Sequence, residues 1–325
     1  MNGWLMSLGL SALIPAAIAG GLIVSQSPQG PVSAEGGLDF AGVVGGGNAP
    51  LSSTPVAMRD GVELAVRHVP GPAGAPLVVL VHGSGWHGGQ FDGLAQRLGA
   101  EAEVVVPDLR GHGADPVRRG DVDYIGQLED DLADLIDAFR GAGQKVVLGG
   151  HSSGGGLVVR FAGGAHGGKI DAAVLMAPFL QYDAPVTRPN SGGWARPLTR
   201  RIIGLSMVNA VGLRLLNHLT VIEFNMPDVV RNGPQGALAT LAYSFRMNTS
   251  YGPRRDYRAD IAALPSFALI AGVEDEAFVA DGYEPLMSGV TSKGRYELIA
   301  DTGHLDVVDH PRTVQVITEV LNALD

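Results

Sequence analysis

Short, wholly apolar runs alternate with amphipathic stretches along most of this chain, and the two patterns predict different elements. Leu77-Val78-Val79-Leu80-Val81, Val146-Val147-Leu148-Gly149, Ala172-Ala173-Val174-Leu175-Met176 and residues 266–271 are continuously apolar, as strands covered on both faces are. Residues 62–66, 103–106 and 295–299 read as further strands. Between them, residues 91–98 form a predicted helix. A second, over 124–139, carries Ile125, Leu128, Leu132, Leu135 and Ile136 at the spacing of one helix face. Pro311 opens a last predicted helix with Val314, Val316, Ile317 and Val320 on it, proline being tolerated in a first turn. Strands alternating with helices predict an α/β fold, a mainly parallel sheet with helices on both faces.

Two segments break the alternation. The connection from residue 177 to 265 is far longer than an ordinary link. Within it, Ile202-Ile203-Gly204-Leu205, Met207-Val208, Val211-Gly212-Leu213, Leu215-Leu216 and Leu219 form an apolar stretch of helical character. Residues 181–258 are therefore expected to be a helical cap inserted into the main domain, residues 51–325. At the other end, residues 4–24 are almost wholly apolar, and no charged side chain precedes Glu35. That length can span a bilayer, so residues 1–24 are expected to be a transmembrane anchor or a signal segment. Ala17-Ile18-Ala19 and Val32-Ser33-Ala34 have the small-residue form of cleavage sites. Residues 25–50, rich in Gly, Ser and Pro, read as a flexible tether. The location expected from this is the membrane or the cell envelope, or the cytoplasm if the start codon is misplaced.

The chemistry begins where the strand at Val146 runs into Gly150-His151-Ser152-Ser153-Gly154. Gly-x-Ser-x-Gly between a buried strand and a helix forces the central serine into a strained turn with its hydroxyl exposed. Ser152 is thus the expected nucleophile, with Ser153 beside it as the less central alternative. A nucleophilic serine needs a base, and the base needs a carboxylate to hold its tautomer. His304, on the loop Asp301-Thr302-Gly303-His304 just past the last predicted strand, is preferred as base over the eight other histidines. Asp275 in Gly272-Val273-Glu274-Asp275-Glu276 is preferred as orienter over its acidic neighbours. The chain order Ser, Asp, His is that of α/β-hydrolases. The apolar strand at Leu77 ends in His82-Gly83-Ser84-Gly85, where small residues bring main chain close to a developing oxyanion. The N–H groups of Ser84 and Ser153 are the expected donors.

Taken together, these stretches resemble the lysophospholipase, monoacylglycerol-lipase and serine-aminopeptidase-like group of α/β-hydrolases. The matching segments are His82-Gly83-Ser84-Gly85, Pro107-Asp108-Leu109-Arg110-Gly111-His112-Gly113, Gly150-His151-Ser152-Ser153-Gly154, Ala177-Pro178-Phe179, Gly272-Val273-Glu274-Asp275 and Gly303-His304. The resemblance implies a serine hydrolase acting on acyl esters such as lysophospholipids or monoacylglycerols. It implies a structural role for the Asp108–His112 loop and a cap over the site. Gly83, Phe179, Leu215 and Leu216 are the expected substrate contacts. Peptide cleavage, or a ligand receptor that keeps the fold without catalysis, stays open beside ester hydrolysis.

Composition narrows this further. A net charge of −10 without basic runs argues against nucleic acid as partner. With no cysteine, thiol catalysis, disulfides and Cys-based zinc sites are excluded together. No metal-ligand spacing and no cofactor motif appears, so neither is expected. Arg200, Arg201, Arg246, Arg254 and Arg255 lie in the insertion and are expected to be solvated rather than to meet an anionic substrate group.

Overall fold

In the computed structural model, residues 2–30, 37–40 and 49–324 are described. The chain opens with helix α1 (Asn2–Val24), then strands β1 (Ser53–Ala57), β2 (Glu63–Val69) and β3 (Leu77–Val81). Helix α2 (Asp92–Leu98), β4 (Glu103–Pro107), α3 (Gln127–Phe139), β5 (Val146–His151), α4 (Ser153–Ala162) and β6 (Ala172–Met176) follow. The insertion supplies β7 (Ala195–Pro197), α5 (Thr199–Ala210), β8 (Thr220–Phe224), α6 (Asp228–Arg231), β9 (Ala242–Ser244) and α7 (Phe245–Tyr251). The chain closes with α8 (Tyr257–Ala263), β10 (Ser266–Gly272), α9 (Tyr283–Ser288), β11 (Gly294–Ile299) and α10 (Pro311–Asn322).

Eight strands form one sheet in the order β1-β2-β4-β3-β5-β6-β10-β11. Only β1–β2 and β2–β4 pair antiparallel; every pair from β4 to β11 is parallel. The central strands explain their own composition: each residue of β3, β5 and β6 is buried. A strand enclosed by helices on both faces has no solvent side on which to place a polar residue. β1 went unpredicted because it is a largely exposed edge strand containing Pro55 and shows no alternation of apolar and polar residues.

The insertion differs from a purely helical cap. β7, β8 and β9 make a separate three-stranded antiparallel sheet, flanked by α5 and α7. The apolar stretch expected to continue as helix ends at Ala210, and Gly212 at φ +83° turns the chain away. Of the insertion arginines, Arg200 and Arg255 are exposed as expected, whereas Arg201, Arg246 and Arg254 are partly buried and engaged. Arg246 pairs with Asp121 and Arg254 with Glu129 and Asp260, while Arg200 and Arg201 donate to main-chain oxygens of Ser25 and Ile23.

The transmembrane expectation for residues 4–24 gains no support from the described residues. The segment is helical, but among the described residues no helix is long and apolar enough to cross a membrane. Its C-terminal half packs on the insertion. Ile23 joins Leu205, Val221 and Phe245 in a second, small core. Gly204 permits the close crossing, since a Cβ there would stand 2.7 Å from the Ala19 carbonyl oxygen. Burying a side chain such as Leu205 is worth about 2–3 kcal/mol, enough to hold this contact. The site Val32-Ser33-Ala34 and much of the expected tether 25–50 lie outside the described residues.

Candidate active site

The turn from β5 into α4 is built by steric necessity. Ser152 sits at φ 54° and ψ −121°, a conformation that costs a non-glycine residue on the order of 1–3 kcal/mol. A Cβ at Gly150 would lie 2.4 Å from the Gly154 oxygen, and one at Gly154 would lie 2.2 Å from the Val81 oxygen. Only glycine on both sides lets the turn press against β3. The strain is held by bonds around it: Ser152 N–H donates to the Met176 oxygen at 2.9 Å, and the Ser152 oxygen accepts Gly156 and Phe179 N–H groups.

His304 and Asp275 come from the loops after β11 and β10 and meet in the interior. His304 Nδ1 lies 2.8 Å from Asp275 Oδ2, with both residues 1% exposed. The other carboxylate oxygen, Oδ1, accepts the Ala277 and Phe278 N–H groups at 2.8 Å each. An ionised carboxylate with its lone pairs so engaged keeps the proton on His304 Nδ1 and leaves Nε2 free as acceptor. Among the described residues Ser152 Oγ makes no hydrogen bond to His304; the two side chains line one cavity instead. Such bonds are often long before substrate arrives. Glu276 has a different place: its carboxylate accepts the main-chain N–H of His304 at 2.8 Å and of Asp39 at 3.1 Å.

The loop after β3 presents its main chain selectively. Gly83 N–H is taken by Gln90 Oε1 at 3.0 Å and Gly85 N–H by the Tyr243 hydroxyl at 2.7 Å. Ser84 lies between them and lines both cavities that border Ser152. Ser153 N–H stands in the first turn of α4, where amides point out of the helix. Gly83 and Phe179 also line these cavities. Leu215 and Leu216, expected to touch substrate, line neither: they are 87% and 38% exposed on the loop past α5. Their apolarity was read correctly, but the helix that would have turned them inward ends before they are reached.

Several residues that no sequence signal marked organise this region. Gln90 bridges Gly83 to His151 Nδ1 at 2.7 Å, and His151 Nε2 donates to the His304 carbonyl oxygen at 2.9 Å. One amide and one imidazole thus tie the loop after β3, the serine turn and the histidine loop together. On the other side, Tyr243 from β9 donates to His112 Nε2 at 2.6 Å, and Tyr251 donates to the His82 oxygen at 2.6 Å. The loop from Asp108 to His112 is a brace: Asp108 accepts from Arg67 and from Gly88 N–H, both at 2.7 Å.

Burial keeps His82, His112 and His151 neutral, His82 being held down to about 3 and the other two well below their ordinary value. Unfolded, each would take a proton below about pH 6.5, so the unfolded state gains protons that the folded state refuses. Stability is therefore expected to fall as pH drops below 6.5, by about 4 kcal/mol for the three together between pH 7.5 and 5.5. Urea midpoints at the two pH values check this; equal midpoints would contradict it.

Two cavities flank Ser152. One, about 20 Å³, is bordered by Leu38, Phe40, Trp86, Gln90, Trp194, His304 and Leu305. The second, about 60 Å³, is bordered by Ser153, Phe179, Trp194, Ile222, Phe224, Tyr251 and Phe278. The insertion roofs both through Trp194, whose indole N–H donates to Ser84 Oγ at 3.2 Å. A larger groove of about 310 Å³ lies at the β1–β2 edge, lined by Glu63, Asp115, Arg118 and Asp121, and touches none of Ser152, Asp275 and His304. Among the described residues no cluster of His, Asp or Glu has the arrangement to hold a metal.

Known proteins share this architecture. Residues 74–238 match the family described as serine aminopeptidase, S33. A pimeloyl-[acyl-carrier protein] methyl ester esterase of Chromobacterium violaceum is 34% identical over 117 residues, 36% of this chain and 42% of that protein. The chain covers 25% of the length of a related uncharacterized Mycobacterium bovis protein, 32% identical over 89 residues and 27% of this chain. Among solved structures, a monoacylglycerol lipase of Paleococcus ferrophilus superposes with a TM-score of 0.60 at 20% identity, over 81% of this chain and all of that one.

Proposed function

The chain belongs to the serine aminopeptidase S33 family and has the α/β-hydrolase fold of esterases and lipases, and on that premise we propose that it cleaves carboxylic esters of lipophilic acyl groups through an acyl-enzyme on Ser152. The observation that carries this reading is the His304–Asp275 pair, whose histidine lines, together with Ser152, a cavity that Leu38, Phe40, Trp86, Trp194 and Leu305 help to wall.

In this reading His304 Nε2 takes the Ser152 proton as Oγ attacks the ester carbonyl. The oxyanion forms at the N–H groups of Ser84 and Ser153, the donor between the two amides that Gln90 and Tyr243 take and the first amide of α4. His304 then gives its proton to the departing alcohol. Water, activated by the same nitrogen, releases the acid and restores Ser152. Asp275 holds the tautomer and stabilises the imidazolium without taking the proton. Of the two finer expectations, the ester with the smaller alcohol half, a monoacylglycerol, is preferred to a lysophospholipid. The acyl chain belongs in the cavity beside Ser153 and Phe179, whose walls include Ile222 and Phe224.

Aminopeptidase action is the competing reading that the family's description carries. An α-amino group in an enclosed pocket needs a carboxylate to offset its lost hydration. Among the described residues, those lining the two cavities at Ser152 include no Asp or Glu. A panel of methyl esters of increasing acyl length, run beside aminoacyl amides, tests the choice. Ester kcat/KM is expected to rise by up to about fourfold per methylene until the pocket is full, from about 0.8 kcal/mol each. Cleavage of the amides with no ester turnover would overturn the proposal in favour of a peptidase.

A further inference from the structure

Leu38 and Phe40 lie far in sequence from every element of the site, yet they wall the smaller cavity at Ser152, 9% and 6% exposed. The Phe40 ring packs between two tryptophans, with centroids 5.8 Å from Trp86 and 5.6 Å from Trp194. Asp39 between them is fastened through its main chain, its N–H donating at 3.1 Å to Glu276 Oε1. The other oxygen of Glu276 receives His304 N–H at 2.8 Å. One carboxylate therefore seats both the histidine loop and this strap.

The two cavities are chemically distinct. Departing alcohol must collect its proton from His304, so it lies on the side where His304 and Leu305 form the wall. That is the side Leu38 and Phe40 occupy, and they leave about 20 Å³ there, space for a single water. The acyl side, at Ser153 and Phe179, has about 60 Å³.

Resting on the ester-hydrolase reading, we infer that Leu38 and Phe40 determine specificity for the alcohol half of the substrate, and that the natural substrate is an ester of a small alcohol. The strap acts as a steric stop beside His304. Esters with bulky headgroups, lysophospholipids among them, are disfavoured against those with small alcohols.

The test keeps the acyl group constant and varies the alcohol from methyl through butyl to octyl, whose leaving-group basicities are similar. Wild-type kcat/KM is expected to fall steadily along the series. Phe40→Ala and Leu38→Ala should each raise the octyl-to-methyl ratio by about tenfold or more. A parallel series of methyl esters with growing acyl chains should keep its wild-type slope. Phe40→Leu, a smaller disturbance to packing, should move the alcohol ratio in the same direction if the alanine variant does not fold. An unchanged octyl-to-methyl ratio in folded variants, or a shift in the acyl series instead, would overturn the assignment. A wild-type protein that cleaves no ester in either series would instead overturn the ester reading on which it rests.

Discussion

Ser152→Ala is expected to lower kcat for a short methyl ester by about 10⁶-fold, with the fold retained. The residual rate would come from the oxyanion donors and from binding, which the substitution leaves in place. Retention of the fold follows from the way the turn is held. The bonds made by the Ser152 main chain to Met176, Gly156 and Phe179 do not involve the side chain. Ser152 Oγ is also the only atom removed from a site already shaped by Gly150 and Gly154. His304→Ala should cost a comparable factor, because nucleophile and base act as one unit and losing either costs nearly as much as losing both. Turnover of Ser152→Ala within tenfold of wild type would remove the serine from the mechanism.

Asp275→Asn is expected to cost about 10⁴-fold in kcat, the scale on which serine hydrolases respond to the wrong histidine tautomer. The direction follows from the hydrogen bonds. Two N–H groups, from Ala277 and Phe278, converge on Oδ1, so the asparagine carbonyl must take that position. Its NH₂ group then faces His304 Nδ1, which must accept, and the imidazole proton moves to Nε2 where the base is needed. The acidic neighbours respond differently. Glu274 is exposed, and Glu276 is committed to the main-chain N–H groups of His304 and Asp39. Glu274→Gln should be near neutral and Glu276→Gln should cost far less than Asp275→Asn. Measuring kcat for the three variants decides among the carboxylates; a larger loss in Glu276→Gln would overturn the role given to Asp275.

The parts of this protein that were legible in its sequence are those fixed by local sterics or by burial on two sides. β3, β5 and β6 announced themselves because strands enclosed by helices are apolar throughout. The serine turn was legible because its geometry excludes any side chain at Gly150 and Gly154. His304 and Asp275 were found by chain order and by their loops past strands, and the structure brings them within hydrogen-bond distance.

What escaped was set by contacts between distant segments. Nothing in the spacing of Gln90 and His151 foretells that they link three loops of the site. The insertion's strands are short, and Leu213 to Leu216 looked like a buried helix face because apolarity alone does not say where a helix stops. Leu38 and Phe40 sit in a Gly-rich segment whose composition reads as a tether, and only Trp86 and Trp194 give them a place. The packing of the apolar N-terminal helix on α5 was equally hidden, because that partner surface is found only in three dimensions.

The central claim, a covalent acyl-enzyme on Ser152, is tested most directly by intact and peptide mass spectrometry after reaction with a fluorophosphonate bearing a short alkyl chain. A single adduct per chain is expected, carried on Ser152 and absent from Ser152→Ala, with ester turnover lost in proportion to labelling. An adduct on Ser153 or elsewhere, or full ester turnover in a completely labelled protein, would contradict it.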